Sequence, residues 1–287
     1  MTPDEYAAQQ AVISAAIARF AIQIGELFAM PALKVADWLR LLELLFPEIE
    51  RRRTESADLA RAFYDSQREA YHPDLPRNDR PLEGTEFREF VSNMEPVRQR
   101  LSREDSQQDA VAALALRAVR EVENAGRQQI IHAVSNDPET QVVRGWARVA
   151  TGRETCAWCL MLISRGPVYM GADRAGLDLD DTSAQQMIAA GEDVSDYMEQ
   201  WHAGCDCKVV PVFDRSDWFG KEAADRALEL WNDATREAVR LEDKGLVHPS
   251  GKKKGQPFTR NELAINALRR RLEHGEIEMS EFAAFAA

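Results

Sequence analysis

The chain has 287 residues, a hydrophobic fraction of 45% and a formal net charge of −12. This hydrophobic fraction is ordinary for globular proteins and can build a sizeable core in one or two domains. The acidic balance argues against a general nucleic-acid-binding protein. The N-terminus lacks the basic start of a signal peptide, and no apolar run approaches the roughly 18 residues of a membrane span. We therefore expect a protein made in a reducing cytoplasm, with no membrane partner.

Residues 1–134 are predicted to form a helical N-terminal domain. Thr2 can cap the first helix, Pro3 suits the first helical position, and Glu5 completes a capping box. Apolar side chains then recur every three or four residues, as they do on one face of a helix. They are Ile13, Ile17, Phe20, Ile24 and Phe28. The spacing predicts a long amphipathic helix.

The rest of this domain shows the same helical spacing, interrupted by prolines. A second helix is predicted from Val35 to Leu45, and Pro47 is expected to end or kink it, because proline lacks the N–H that an interior helical position donates. Further helices are predicted over 48–70, 85–101 and 107–134, on either side of a proline-rich loop.

Residues 135–215 differ in composition and predict a small α+β module. Branched and aromatic residues over 142–150 predict a strand, and Leu160–Ile163 predict a short helix. Residues 208–213 predict a second strand, whose Pro211 places it at a sheet edge.

Residues 216–287 are predicted to be a helical C-terminal region. One helix is expected over 216–242 and another from Thr259, which begins a second capping box. Between them lies a loop with three consecutive lysines, Lys252, Lys253 and Lys254, which we consider a candidate contact with DNA phosphates. Residues 282–287 are expected to be a tail. The predicted fold is therefore mainly α, with a small α+β module.

All four cysteines fall in two clusters within the module. Cys156 and Cys159 form a C-x-x-C, and His202, Cys205 and Cys207 form an H-x-x-C-x-C. Zinc prefers four tetrahedral thiolate or imidazole ligands, and a C-x-x-C delivers two sulfurs to one ion. The sequence therefore predicts a zinc ion, structural because a shell of four protein ligands leaves no position for substrate.

Four alternatives stay open for these residues. Four thiolates can bind with His202 outside the ligand set, or His202 can replace one thiolate. The cysteines can instead form disulfides or pack as reduced thiols, although a reducing compartment favours metal binding over disulfides.

Sequence motifs of catalysis are missing. The chain contains no G-x-S-x-G, P-loop, G-x-G-x-x-G or H-E-x-x-H. The acidic cluster Asp178, Asp180 and Asp181 lacks the glycine and the distal glutamate of a calcium loop, so we interpret it as a solvated loop. We expect a protein that is not an enzyme.

Three segments of the module together resemble the Mu F-like family of phage head-morphogenesis, or minor capsid, proteins. They are Cys156-Ala157-Trp158-Cys159, then Ser164-Arg165-Gly166-Pro167-Val168-Tyr169, then the run from Trp201 to Val212. Members of the family show a C-x-x-C, a glycine before a hydrophobic-aromatic step, and a His-x-x-Cys-x-Cys that leads into a strand. The acidic, helical N-terminal half is similar to the actinobacteriophage branch.

The resemblance implies a virion component located at the portal vertex or in the capsid interior and assembled in the host cytoplasm. It implies a role in head assembly, DNA packaging or genome release, without catalysis. The implied partners are the portal protein, the major capsid protein or scaffold, and packaged DNA. The alternative is a capsid maturation protease, a label that some relatives carry. A nucleic-acid module of the zinc-ribbon type is a third hypothesis, which the net charge opposes.

Overall fold

The protein is described by a computed structural model. It describes residues 1–28, 33–76, 86–101, 107–139, 141–152, 155–169, 207–251 and 253–285. The elements in chain order are α1 (Pro3–Phe28), α2 (Val35–Tyr71), α3 (Phe87–Leu101), α4 (Gln107–Ser135), β1 (Gly145–Val149), α5 (Ala157–Ile163), β2 (Lys208–Val212), α6 (Lys221–Glu242) and α7 (Arg260–Glu273), followed by a short 3-10 helix (Met279–Phe282). The predicted mainly helical fold with a small sheet is confirmed for these residues.

The described residues fall into two compact units. The first runs from Met1 to Val142, and the second contains the described residues from Val143 onward. The three-domain division into 1–134, 135–215 and 216–287 stays a prediction. In the structure, the helices α6 and α7 belong to the same unit as the two strands.

The first unit is built from α1, α2, α3 and α4. The predicted capping box begins α1, because the Glu5 N–H donates to Thr2 Oγ1 at 3.2 Å and the Thr2 N–H donates to Glu5 Oε2 at 2.8 Å. The predicted apolar face of α1 joins the core, with Ile17 fully buried and the other four residues packed around it. Helices α1 and α4 approach closely at Gly25, where an added Cβ would lie 2.8 Å from Leu114 Cδ2.

Of the two effects predicted for Pro47, an end of the second helix is wrong, and a kink stays a prediction. α2 continues through this proline from Val35 to Tyr71. Leu41, Leu42, Leu45 and Ile49 lie on both sides of it and are completely buried. Their burial outweighs the loss of roughly 3 kcal/mol that an interior proline brings to a helix.

A buried ion pair joins the end of α2 to the turn after α4. Arg68 Nη2 donates to Asp137 Oδ1 at 2.9 Å, and Arg68 Nε bonds the other carboxylate oxygen. The Tyr64 hydroxyl and the Glu139 N–H also donate to Asp137, each at 2.9 Å. Burial alone would raise the pKa of Asp137, but the hydrogen bonds from Arg68, Glu139 and Tyr64 hold this pKa below its usual value. The carboxylate is therefore ionised and stabilises the fold at neutral pH.

The second unit contains the predicted strands, which form a two-stranded antiparallel sheet. Gly145 pairs with Val212 and Val149 with Lys208. Pro211 is tolerated opposite Trp146, because the Trp146 N–H donates to Tyr169 O at 2.8 Å on the other side of β1. The predicted short helix is α5, which contacts β1.

Residues 282–287 were predicted to be a tail, and this prediction is wrong for the described residues 282–285. Phe282 is 3% exposed and Phe285 is 2% exposed, both within the core of the second unit. The Ala284 N–H donates to Ala150 O at 2.9 Å, directly after β1. These contacts join residues far apart in sequence, which local periodicity does not detect.

The expectation that no apolar run reaches membrane length needs a correction at α1. By length and composition alone this helix is apolar enough to cross a membrane, with a mean hydropathy of 1.5 in its most apolar stretch. Within that stretch 17% is buried, and α1 contributes Ile17 and Ala21 to the buried core of the first unit.

Candidate metal centre

Cys156 and Cys159 lie at the start of α5, where the local backbone brings their sulfurs together. Cys156 is the N-cap residue, in an extended conformation, and its Sγ accepts a hydrogen bond from the Cys159 N–H at 3.4 Å. The two Sγ atoms are 3.5 Å apart. A disulfide would require about 2.05 Å, whereas two thiolates bound tetrahedrally to one zinc ion stand roughly 3.8 Å apart. The separation is too long for a disulfide, and it fits either two metal ligands or two reduced thiols joined by a hydrogen bond.

Cys207 lies immediately before β2 and is 1% exposed. Arg148 Nη1 from β1 donates to Cys207 Sγ at 3.2 Å, and Arg148 is also 1% exposed. A buried guanidinium favours a negatively charged neighbour, because an uncompensated charge in the interior is costly. The contact therefore favours a thiolate at Cys207, which is the form that binds metal.

Sequence reasoning missed Arg148. The residue was part of a predicted strand, but its partner lies 59 residues away along the chain. The sequence signal that could have identified Arg148 is its position in an otherwise apolar strand, shortly before a pair of cysteines. Lys208, which follows Cys207, is a second buried cation at 7% exposure.

The strand register relates the two cysteine clusters. Val149 at the end of β1 pairs with Lys208 at the start of β2. Cys207 therefore lies at the end of the sheet from which the chain leaves β1 toward Cys156. Among the described residues, no three His, Cys, Asp or Glu side chains are grouped to hold a metal ion, so the structure brings Cys156 and Cys159 together but does not group Cys207 with them. His202 and Cys205, the remaining predicted ligands, lie outside the described residues, as do Asp178, Asp180 and Asp181.

The lysine loop is ordered by hydrogen bonds in its described part, which excludes Lys252. The Gly255 N–H donates to His248 O and the His248 N–H to Gln256 O, each at 2.9 Å. Lys253 Nζ lies 2.9 Å from Glu262 Oε1, and Lys254 is exposed. Burial alone would raise the pKa of Glu262, but hydrogen bonds from Lys253 and Thr259 lower it to about 2. Glu262 therefore neutralises part of the basic charge on this loop.

Comparisons with known proteins find relatives along nearly the whole chain. The chain is 53% identical to the Gene 15 protein of Mycobacterium phage D29 over 280 residues, which cover 95% of this chain and 99% of the relative. It is 50% identical to the Gene 15 protein of Mycobacterium phage L5 over 299 aligned residues, 99% of each chain. No solved structure gives a significant match. The VG15 protein family matches residues 1–234. The chain therefore belongs to the VG15 protein family, and the relatives it matches are mycobacteriophage proteins.

Proposed function

We propose that this phage protein is a minor capsid, or head-morphogenesis, protein of the Mu F-like type. It acts by contact at the portal vertex or in the capsid interior, during head assembly, DNA packaging or genome release. The observation that carries the proposal is the cysteine module, in which a C-x-x-C at the start of α5 holds two sulfurs 3.5 Å apart and Cys207 directly precedes β2. This arrangement follows the motif order on which the resemblance rests, and the mycobacteriophage relatives agree with a phage role.

We propose that the module holds one structural zinc ion. Either Cys156, Cys159, Cys205 and Cys207 would supply four sulfur ligands with His202 outside the ligand set, or His202 would replace one of these thiolates. The support is the 3.5 Å separation of the first two sulfurs and the buried cation beside the third. Zinc bound by four protein ligands supplies folding free energy and no open coordination position. The proposed role is therefore to stabilise a module whose sheet has two strands in the described part of the chain.

The contact surfaces are proposed to lie on the helices of the first unit. Val12 and Leu27 on α1 are 67% and 72% exposed, although both are apolar. Exposed apolar side chains on a helix suit a protein partner, for which the resemblance suggests the portal protein, the major capsid protein or scaffold. Lys254, with Lys252 and Lys253, is the proposed contact with packaged DNA.

Incorporation into virions tests this function. A phage that lacks the gene is complemented with the wild-type chain or with the double variant Val12→Asp/Leu27→Asp, and purified virions are analysed by quantitative mass spectrometry. The wild-type chain should be present, and the double variant should be reduced by roughly tenfold or more, as expected when apolar contacts worth about 1.4 kcal/mol or more are lost. Val239→Asp, at an apolar position in α6 that is 42% exposed, is the matched control.

Two results would count against the proposal. If the wild-type chain is absent from virions, the protein is not a component of the head. If the double variant is incorporated normally, α1 is not the contact surface. The protease alternative would be favoured if the purified chain cleaved the major capsid protein and one serine or histidine substitution stopped the cleavage.

A further inference from the structure

The two sulfurs of the C-x-x-C contact each other but differ in their access to solvent. Cys156 Sγ and Cys159 Sγ are 3.5 Å apart, and the Cys159 N–H also donates to Cys156 Sγ at 3.4 Å. Cys156 is half-buried, whereas Cys159 is 1% exposed. A reagent from solvent therefore reaches Cys156 first, and Cys159 is the thiol that lies beside the sulfur it modifies.

The position of each cysteine in α5 explains this difference. Cys156 is the N-cap residue and lies outside the first turn of the helix. Cys159 lies on that turn, and each of the residues Leu160–Ile163 that follow it is at most 1% exposed. The helix contacts β1, α6 and α7 of the same unit. Cys159 is therefore enclosed by the second unit, while Cys156 lies at its border.

Cys207 is set apart from this pair. It is 1% exposed, and its sulfur accepts a hydrogen bond from Arg148 Nη1 at 3.2 Å. The structure does not group it with Cys156 and Cys159. A disulfide requires two sulfurs about 2.05 Å apart on closely spaced Cβ atoms. Cys159 is therefore better placed than Cys207 to form a disulfide with Cys156.

We propose that Cys156 and Cys159 are a site of thiol–disulfide exchange with small disulfides such as glutathione disulfide. The Cys156 thiolate attacks one sulfur of the reagent, which breaks the reagent's S–S bond, forms a mixed disulfide and releases one thiolate. The Cys159 thiolate then attacks Cys156 Sγ and releases the second reagent thiolate. The two cysteines are thereby oxidised to one disulfide, the reagent is reduced to two thiols, and the protons lost by the cysteines pass to these thiols.

The exchange would also control the proposed zinc site, and this part of the inference rests on the proposed function. Zinc binds thiolates, and one disulfide between Cys156 and Cys159 removes two of them together. Oxidation would therefore release the metal, and reduction would restore its site. A chain made in a reducing cytoplasm and carried out of the cell in a virion meets both conditions.

The test uses the full-length, metal-free, reduced chain, which is treated with glutathione disulfide and mapped by peptide mass spectrometry. The wild type should form the disulfide between Cys156 and Cys159. Cys159→Ala should retain one glutathione on Cys156, because the second thiol is absent. Cys156→Ser keeps an N-cap acceptor. In this variant Cys159 should react roughly tenfold or more slowly than Cys156 does in Cys159→Ala, because a buried thiol reacts only after local opening.

Cys207 is the internal control, because it is as buried as Cys159. A first wild-type disulfide that includes Cys205 or Cys207 would overturn the proposal, and so would the absence of any disulfide. Equal rates at Cys156 and Cys159 in the two folded variants would overturn it as well. A variant in which Cys207 reacts as fast as Cys156 has lost the fold of the second unit, and the wild-type disulfide map then decides.

A second assay treats the zinc-loaded chain with the same reagent in the presence of a chromophoric chelator. One zinc ion should be released for each disulfide between Cys156 and Cys159, and dithiothreitol should restore zinc binding. Zinc retained by the oxidised chain would overturn the control of the metal site. Failure of the reduced wild-type chain to bind zinc would refute the metal proposal, while the disulfide map would still decide the exchange site.

Discussion

Arg148 gives the sharpest test of the cysteine centre, because its predicted effect reverses with metal. The Arg148 guanidinium donates to Cys207 Sγ at 3.2 Å, and both residues are 1% exposed. Groups that hydrogen-bond a metal ligand typically contribute 10- to 100-fold to metal affinity, or about 1.4 to 2.7 kcal/mol. Arg148→Met should therefore weaken zinc binding by this factor while keeping the side chain's apolar volume.

In the metal-free protein we expect Arg148→Met to affect the unfolding free energy differently. Without a metal ion the Cys207 thiolate binds a proton more readily, so its hydrogen bond with the Arg148 guanidinium contributes less to stability. Replacing a buried charge by an apolar side chain of similar size is often neutral or stabilising. The unfolding free energy of metal-free Arg148→Met should thus equal or exceed that of the wild type.

The assay is a competition titration against a chromophoric zinc chelator, paired with urea unfolding of both metal states. Arg215→Met is the matched control, since Arg215 is an exposed arginine of the same unit that bonds Arg144 O at 2.8 Å. Its zinc affinity should equal that of the wild type. Unaltered zinc affinity in folded Arg148→Met would refute the argument, and so would equal destabilisation of the loaded and metal-free protein.

Three further predictions concern stability. Asp137→Asn should lower the unfolding free energy by about 3–5 kcal/mol, since it leaves Arg68 as an uncompensated buried charge. Because the pKa of Asp137 is lowered in the folded state, the wild type should have its full advantage in unfolding free energy at neutral pH and should lose it as the pH falls below about 4. Urea titrations at several pH values measure this advantage, and a value that does not change with pH would contradict the ion-pair explanation. Cys156→Ser should increase proteolysis of the second unit in zinc-containing buffer while fragments of the first unit survive, and identical fragment patterns would exclude a stabilising metal. Pro47→Ala should raise the thermal midpoint by a few degrees, because a proline inside a helix destabilises it by up to about 3 kcal/mol relative to alanine. A lowered midpoint would show that Pro47 does not destabilise α2.

The sequence predicted the features that depend on neighbours along the chain. The capping boxes at Thr2 and Thr259, the apolar face of α1 and the short helix after the C-x-x-C all follow from local spacing. The C-x-x-C also predicted its own geometry, since two cysteines on one turn must bring their sulfurs close together.

The features that the sequence did not predict depend on distant partners. Pro47 ends a helix in isolation, but the surrounding core holds α2 together through it. Arg148 contacts Cys207, and Phe285 contacts Lys208 and Phe219. In each of these pairs the two residues lie far apart along the chain. Periodicity carries no information about such pairs, so neither the buried cation nor the packed C-terminal segment could be recognised beforehand.

The hydrogen bond between Ala284 and Ala150 has a consequence for synthesis of the chain. During translation, residues 1–142 can leave the ribosome and fold as a unit while the rest of the chain is still being made. The second unit cannot reach its final packing until residue 285 has left the ribosome, because Ala150, directly after β1, accepts a hydrogen bond from Ala284. The second unit therefore completes its folding later in translation than the first, and its cysteines stay accessible to metal for longer.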